Sequence, residues 1–361
     1  MLKIHILSPG FASANARALV FPIIVYRKTL LENGISCFLF NKSVKQLFHC
    51  DVLIIDSKYH RHQWPNHPNA VLGEFELYKK LIDRVLYFDT SDSSTWINPE
   101  VLPIVDLYCK SYLMKDKNHY MNKYYGNRIY TDYYHNEYGV SDDLPEFSNI
   151  IENKDFLKKL RLSWNSGLSD YSLNGPRKIR LYKSLGLKAL IQYTTSFEPP
   201  SLDRDINIQC RMGVQYRKNT VAFQRGKIKS ILSHFLTTNK LSRRSYFKEL
   251  KMSKIVISPF GWGEITLKDF EVFLTGGLLM KPCMDHLITW PDLYKKNDTY
   301  IPFSWNCTDL EDKISEILGN YKKYISIALS GQNNYRKYIY HPDQANLFIE
   351  HFKAIIDSSW N

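Results

Sequence analysis

The stretch that decides the fold is residues 254–282, "KIVISPFGWGEITLKDFEVFLTGGLLMKP". Its opening, "KIVIS", is a short β-branched run of the kind that forms strands. Pro259, Gly261 and Gly263 then force a tight turn. "GEITLKDFEVFLT" carries Leu267, Phe270 and Leu274 at helical spacing, an apolar stripe that packs. Gly276-Gly277 ends that helix, and "LLMKP" is the next strand. Strand, turn, helix and strand make one βαβ unit, whose two strands lie parallel. Open α/β sheets gather ligands at the carboxyl ends of their strands, so the turn at 261–264 is expected at a site mouth.

The residues of this turn have a chemistry to match. Gly261 and Gly263 let the backbone approach a ligand closely, with Trp262 between them. The unpaired N–H groups at the start of the helix favour phosphate. A helix starting near Gly263 places Glu264 in its first turn and Glu271 two turns on, nearly on one face. A carboxylate accepts two hydrogen bonds from a vicinal diol, so the pair suits ribose or sugar hydroxyls. A structural reading stands beside this one: the helix dipole alone favours Glu264, and Glu271 can be a surface or buried acid.

The same pattern extends outward. "LKIHIL", "ISCFLF", "DVLIID", "RVLYFD" and "VDLYCK" read as strands, and their lack of clean alternation suits a parallel sheet buried on both faces. A helix is expected over about residues 15–32, ended by Asn33-Gly34, and another around residues 153–162. "WNSGLSDYSLNGP" has the composition of a connector. The second half starts afresh, with "INIQC" as a strand, "TVAFQRGKIKSILSHFL" as a helix and "TYIPFSW" as a later strand. The expectation is an α/β protein of two Rossmann-like domains facing across a cleft. They cover residues 1–180 and 181–335, and a C-terminal helical segment over 336–361 returns to the first.

Composition narrows the class. The chain has 361 residues, 44% hydrophobic and 23% charged, with a net charge of +12. That balance is globular and long enough for two domains. The positive charge attracts anions: nucleotides, nucleic acid or an acidic membrane face. The six cysteines are scattered, and none is within four residues of another, which reads as reduced core residues. No apolar run is long enough to span a membrane, and "MLKIHILSPG" lacks the apolar length of a signal peptide. A cytoplasmic protein, peripheral to the inner membrane face, is expected.

"SPFGWGEITLKDFEVFLTGGLLMKPCMDHLITWPDLY" resembles the nucleotide-sugar segment of glycosyltransferases with two Rossmann-like domains (the GT-B fold), in particular the group 1 transferases of bacterial surface polysaccharides and, more distantly, exostosin-type domains. The resemblance implies Glu271 as the ribose ligand and Glu264 on the donor-sugar side. It places the backbone of Gly261, Trp262 and Gly263 near the sugar and phosphates. This chain has six residues between the two glutamates where the common retaining pattern has seven, so the stereochemical course stays open. The same families need cations opposite the leaving diphosphate. Arg211, Arg217 and Arg225 are the candidates, since arginine binds phosphate bidentately. Lys218 and Lys227 read equally well as a solvated basic face.

In the first half, "SPGFASANAR" is the first strand-to-helix loop, and it lacks the G-x-G-x-x-G fingerprint of dinucleotide binding. Gly10, Asn15 and Arg17 are its candidates. "YFDTSDSSTW" offers Asp89 and Asp92 as bases for an acceptor hydroxyl, against loop capping as the structural alternative. His60 and His62 lack nearby ligand partners, and no compact Asp-x-Asp is present, so no metal and no bound cofactor are expected. The seven tyrosines from Tyr120 to Tyr138 read first as packing and otherwise as a stacking surface. The expected activity is transfer of a sugar from a nucleotide diphosphate to a glycan or lipid-linked glycan, with no nucleic-acid partner. The alternatives are a nucleotide-sugar epimerase on the same fold, or a non-catalytic basic protein that binds nucleic acid or membrane.

Overall fold

The computed structural model describes residues 1–233 and 238–360. The first half contains β1 (Leu2–Leu7), α1 (Ala14–Val25), α2 (Arg27–Glu32), β2 (Ile35–Phe40), β3 (Val52–Asp56), α3 (Pro68–Leu81), β4 (Arg84–Asp89), β5 (Leu107–Lys110), β6 (Tyr112–Met114), α4 (Ile129–Tyr138) and β7 (Leu160–Leu162). Six of these strands form one parallel sheet in the order β2-β1-β3-β4-β5-β7. Every residue of β3 is buried, as a strand covered on both faces requires. The order reverses at β1, so the loops after β1 and β3 open a crevice at the carboxyl edge.

After α5 (Gly175–Leu185), the second half runs through β8 (Ile206–Gln209), α6 (Asn219–Leu232), α7 (Arg243–Met252), β9 (Ser253–Ile257), α8 (Leu267–Thr275), β10 (Leu278–Pro282), β11 (Leu287–Thr289), β12 (Ile301–Phe303), α9 (Leu310–Gly319), α10 (Tyr321–Ile339) and α11 (Gln344–Asp357). Its parallel sheet has the order β12-β10-β9-β8. The protein is thus α/β with two Rossmann-like sheets. A two-stranded antiparallel ribbon, β6 with β11, joins the halves. Helix α11 packs on the first half: Phe348 stacks on Tyr26 at 5.3 Å and meets Trp164 edge-on at 5.1 Å.

Three local expectations change. The helix expected over 15–32 is two helices, α1 and α2, separated by non-helical Tyr26. Pro22 within α1 cannot donate to the Ala18 carbonyl, and the Trp164 indole N–H takes that carbonyl at 3.2 Å. The expected helix at 153–162 is a 3₁₀ turn (Lys154–Lys159) followed by β7. The helix after β9 starts at Leu267, not near Gly263. Thr266 and Asp269 form a capping box, and that reciprocal pair fixes the first turn three residues later than the glycine suggests. Of the helix expected over 220–236, residues 234–236 lie outside the described residues.

Asp269 also anchors the second sheet. Its buried carboxylate accepts from Ser258 Oγ at 2.5 Å and Tyr294 OH at 2.8 Å, and it pairs with buried Lys281 at 3.1 Å. Breaking such a pair leaves an uncompensated charge in the core. Lys281→Met is expected to cost about 3–5 kcal/mol in urea unfolding. The double change Lys281→Met with Asp269→Asn is expected to cost less than the sum of its parts.

Candidate functional site

The turn at 261–264 is docked against the first half. Tyr130 donates its hydroxyl to the Gly261 carbonyl at 2.6 Å, and Arg128 Nε donates to the Trp262 carbonyl at 2.6 Å. Gly263 lies so close to the Asp92 backbone that a Cβ there would overlap the Asp92 carbonyl oxygen. Tyr112 donates to that same carbonyl. Trp262 remains 40% exposed at this joint, with Tyr216 edge-on at 5.2 Å.

Glu264 departs from expectation. It lies ahead of α8, so it does not share a helix face with Glu271. Its carboxylate is fully buried and receives the Ser94 hydroxyl of the opposite half, with the Ser94 N–H at 3.4 Å and His286 Nε2 at 3.8 Å. Burial pushes this carboxyl up, but Ser94 and nearby His286 outweigh it and hold it below the usual range. Glu264 therefore links the halves.

Glu271 sits in α8 with its carboxylate held by Tyr246 OH at 2.9 Å and Arg243 Nη1 at 3.2 Å. Burial, opposed by Arg243 and Tyr246, raises its pKa. One turn earlier, Lys268 donates to the carbonyls of Arg211 at 2.5 Å and Ile257 at 3.4 Å. Among the described residues no carboxylate pairs with it, and burial lowers its pKa, with Arg225 adding to the effect. Arg225 is nearly buried under the turn, donating to Phe260 O at 2.6 Å and Gly213 O at 3.0 Å with its guanidinium over Tyr216. Arg211 is engaged by Glu249 at 2.6 Å, which ties it to α7, and Arg217 is exposed. From the first half, Arg17 reaches over Tyr171, and its buried Nε has no hydrogen-bond partner among the described residues. Tyr171 in turn stacks on Phe270, within one residue of Glu271.

The two aspartates of "DTSD" separate cleanly. Asp89 is buried and bound by Lys110 Nζ at 2.7 Å and Tyr108 OH at 3.0 Å. Burial pushes its carboxyl up, but Lys110 prevails and holds it below the usual range. Asp89 is therefore a structural anion and not an available base. Asp92 is exposed, and Asn15 at the start of α1 donates to its Oδ1 at 2.8 Å. Gly10, at φ +60°, bends the loop that leads to α1, with its N–H on Ser8 Oγ at 3.0 Å.

Asp92 stands on the wall of a cavity of about 580 Å³ at the carboxyl edge of the first sheet. Trp64, Tyr87, Ser91, Trp96, Asn98 and Asn149 line it. The indole nitrogen of Trp64, the hydroxyl of Tyr87 and the hydroxyl of Ser91 are buried without hydrogen-bond partners among the described residues. Stacking faces with a few convergent polar groups make a ligand site.

The sequence reading missed Lys268 and this cavity, and it read Arg128 and Tyr130 only as parts of a packing or stacking segment. Lys268 carried a signal: acids suit the first turn of a helix, and a lysine there runs against the dipole unless an anion joins it. His60 is buried against Glu74 at 3.0 Å, and no cluster of three metal-ligating side chains occurs among the described residues. Most tyrosines of the 120–138 segment are core residues.

Gly263→Ala is expected to destabilise the protein by about 1–3 kcal/mol in urea unfolding, because the joint has no room for a methyl group. Gly73→Ala, in α3 with open space around it, is expected to be neutral or to stabilise by up to about 1 kcal/mol.

No protein-family model matches the chain, and no curated protein does. Among solved structures, it is similar to Anabaena Alr3699/HepE in complex with UDP and glucose, at 12% identity over 99% of this chain and 100% of that one, TM-score 0.45. It is similar to a glycosyltransferase from Rickettsia africae ESF-5 at 10% identity over 98% of each chain, TM-score 0.44. A third is an alpha-glucosyltransferase in complex with UDP-glucose and DNA containing an abasic site, at 10% identity over 99% of each chain, TM-score 0.41. These likenesses are distant, and the reading of the site rests on its own geometry.

Proposed function

We propose that the protein is a glycosyltransferase that moves a sugar from a nucleotide diphosphate to a hydroxyl of a glycan, free or lipid-linked, of the surface-polysaccharide kind. The observation that carries this reading is the meeting of Gly263 with Asp92. It brings the start of α8, with Lys268, to the exposed carboxylate and polar-aromatic cavity of the other half.

In this reading the donor lies along α8. Glu271 takes the ribose diol, and Lys268, Arg225 and Arg17 face the diphosphate. The acceptor enters the cavity, where indole faces stack sugar rings and the unpaired groups of Trp64, Tyr87 and Ser91 meet hydroxyls. The bond from the anomeric carbon to the diphosphate oxygen breaks, and a bond to the acceptor oxygen forms. The acceptor proton passes to Asp92, oriented by Asn15, and the diphosphate leaves with its charge stabilised by the cations. The joint between the halves keeps water from the donor.

Calorimetry with UDP, GDP, CDP, ADP and dTDP is expected to give micromolar binding of one of them. Glu271→Ala is expected to weaken it at least about tenfold, or roughly 1.4 kcal/mol. Asp92→Asn is expected to leave that binding intact while lowering transfer about 10²–10⁴-fold. No binding by folded protein overturns the reading. Full transfer by Asp92→Asn removes Asp92 from the base role. Turnover of the nucleotide sugar without acceptor marks an epimerase instead.

A further inference from the structure

Helix α5 lies outside all of this, and its outer surface has an unusual composition. Leu181 and Leu185, one helical turn apart, are 42% and 59% exposed. Leu187, just past the left-handed Gly186 that ends the helix, is 56% exposed. Single exposed leucines are ordinary on protein surfaces, whereas neighbours of this kind mark a contact. The inner face of the helix is already satisfied: Gly175 and Ile179 are buried, and Tyr182 packs on Phe11 at 4.7 Å.

The charge around these leucines is of one sign. Arg177, Arg180, Lys183 and Lys188 are exposed, and residues 171–197 contain no acid. Lys178 pairs with Asp170 at 3.4 Å, while among the described residues no ion pair engages the other four bases. The composition continues beyond the helix. Arg243 Nε donates to the carbonyl of Leu173, itself 40% exposed, at 3.1 Å. Leu241 and Arg244, both exposed, lie within two residues of that arginine.

We infer that this surface binds an anionic lipid bilayer. Leucines alone would fit any apolar partner, but unpaired bases among them select a plane of phosphates with hydrocarbon just beneath it. An amphipathic helix lying flat in the interface meets both at once. The helix is about 16 Å long, and no helix among the described residues is long and apolar enough to cross a membrane. The contact is therefore peripheral, and each base adds attraction to an anionic leaflet that salt screens. Through Tyr182 and Phe11 the helix flanks the loop after β1, so a bilayer held here lies beside the cleft. The inference stands on this surface alone and does not depend on the transfer reaction.

Flotation with vesicles tests it. The native protein is expected to float with vesicles of mixed phosphatidylglycerol and phosphatidylcholine and to stay behind with phosphatidylcholine alone. The double variant Leu181→Glu, Leu185→Glu keeps its circular dichroism, because both side chains are exposed. It is expected to bind the anionic vesicles at least about tenfold more weakly. Arg177→Ala with Arg180→Ala and Lys183→Ala is expected to weaken binding and flatten its salt dependence. Native protein that fails to float with anionic vesicles overturns the inference and turns attention to an acidic protein partner. Equal flotation by native protein and the Glu double variant overturns it as well.

Discussion

The backbone-on-backbone contact between Gly263 and Asp92 is the constraint on which the site depends. Two parallel sheets can bring their carboxyl edges together only as closely as the loops between them permit. A glycine at the contact removes the last side chain from the gap. Around it Ser94, Arg128 and Tyr130 satisfy the polar groups that such closeness would otherwise strand. The capping box of α8 begins only two residues after Glu264. The position of Lys268 and Glu271 relative to Asp92 is thus fixed by chain geometry as much as by packing.

Each half sets its carboxyl edge in the same manner, with a lysine near the end of a strand held by a buried aspartate. Lys110 with Asp89 serves the first sheet, and Lys281 with Asp269 the second. Buried pairs of this kind are poor sources of net stability, because desolvation opposes the Coulomb gain. Their directional bonds nevertheless fix the loops that follow. They also withdraw two carboxylates from chemistry, whereas Asp92 stays exposed on the cavity wall.

The sheets were legible from the sequence because buried parallel strands leave unbroken apolar runs, as in "DVLIID" and "LLMKP". The helix boundaries were less so. Gly263 looked like a helix start, yet Thr266 and Asp269 carried the stronger cap, and reading that pair would have moved Glu264 off the helix. Pro22 warned of a break in the first helix. What donates to the freed Ala18 carbonyl is the Trp164 indole, more than a hundred residues away, and no local pattern encodes that. The site divides along the same line. Asp89 and Asp92 are equivalent in sequence, and only the placement of Lys110 tells them apart. The cavity beside Asp92 is built from segments scattered between Ser57 and Lys218, so it has no signature along the chain.

The packing of α11 on the first half has a consequence for how the protein is made. The apolar surface formed by Tyr26, between α1 and α2, and Trp164, just after β7, receives its cover from Phe348 and Phe352, and His351 meets the Ser163 carbonyl. Strand β7 leaves the ribosome about 180 residues before that helix does. At ordinary elongation rates the apolar face stays bare for roughly 10–40 s during synthesis. The first half then exposes this apolar surface until α11 is made. The nascent protein in this interval is a natural client for chaperones, and a truncation ahead of α11 would make that interval permanent.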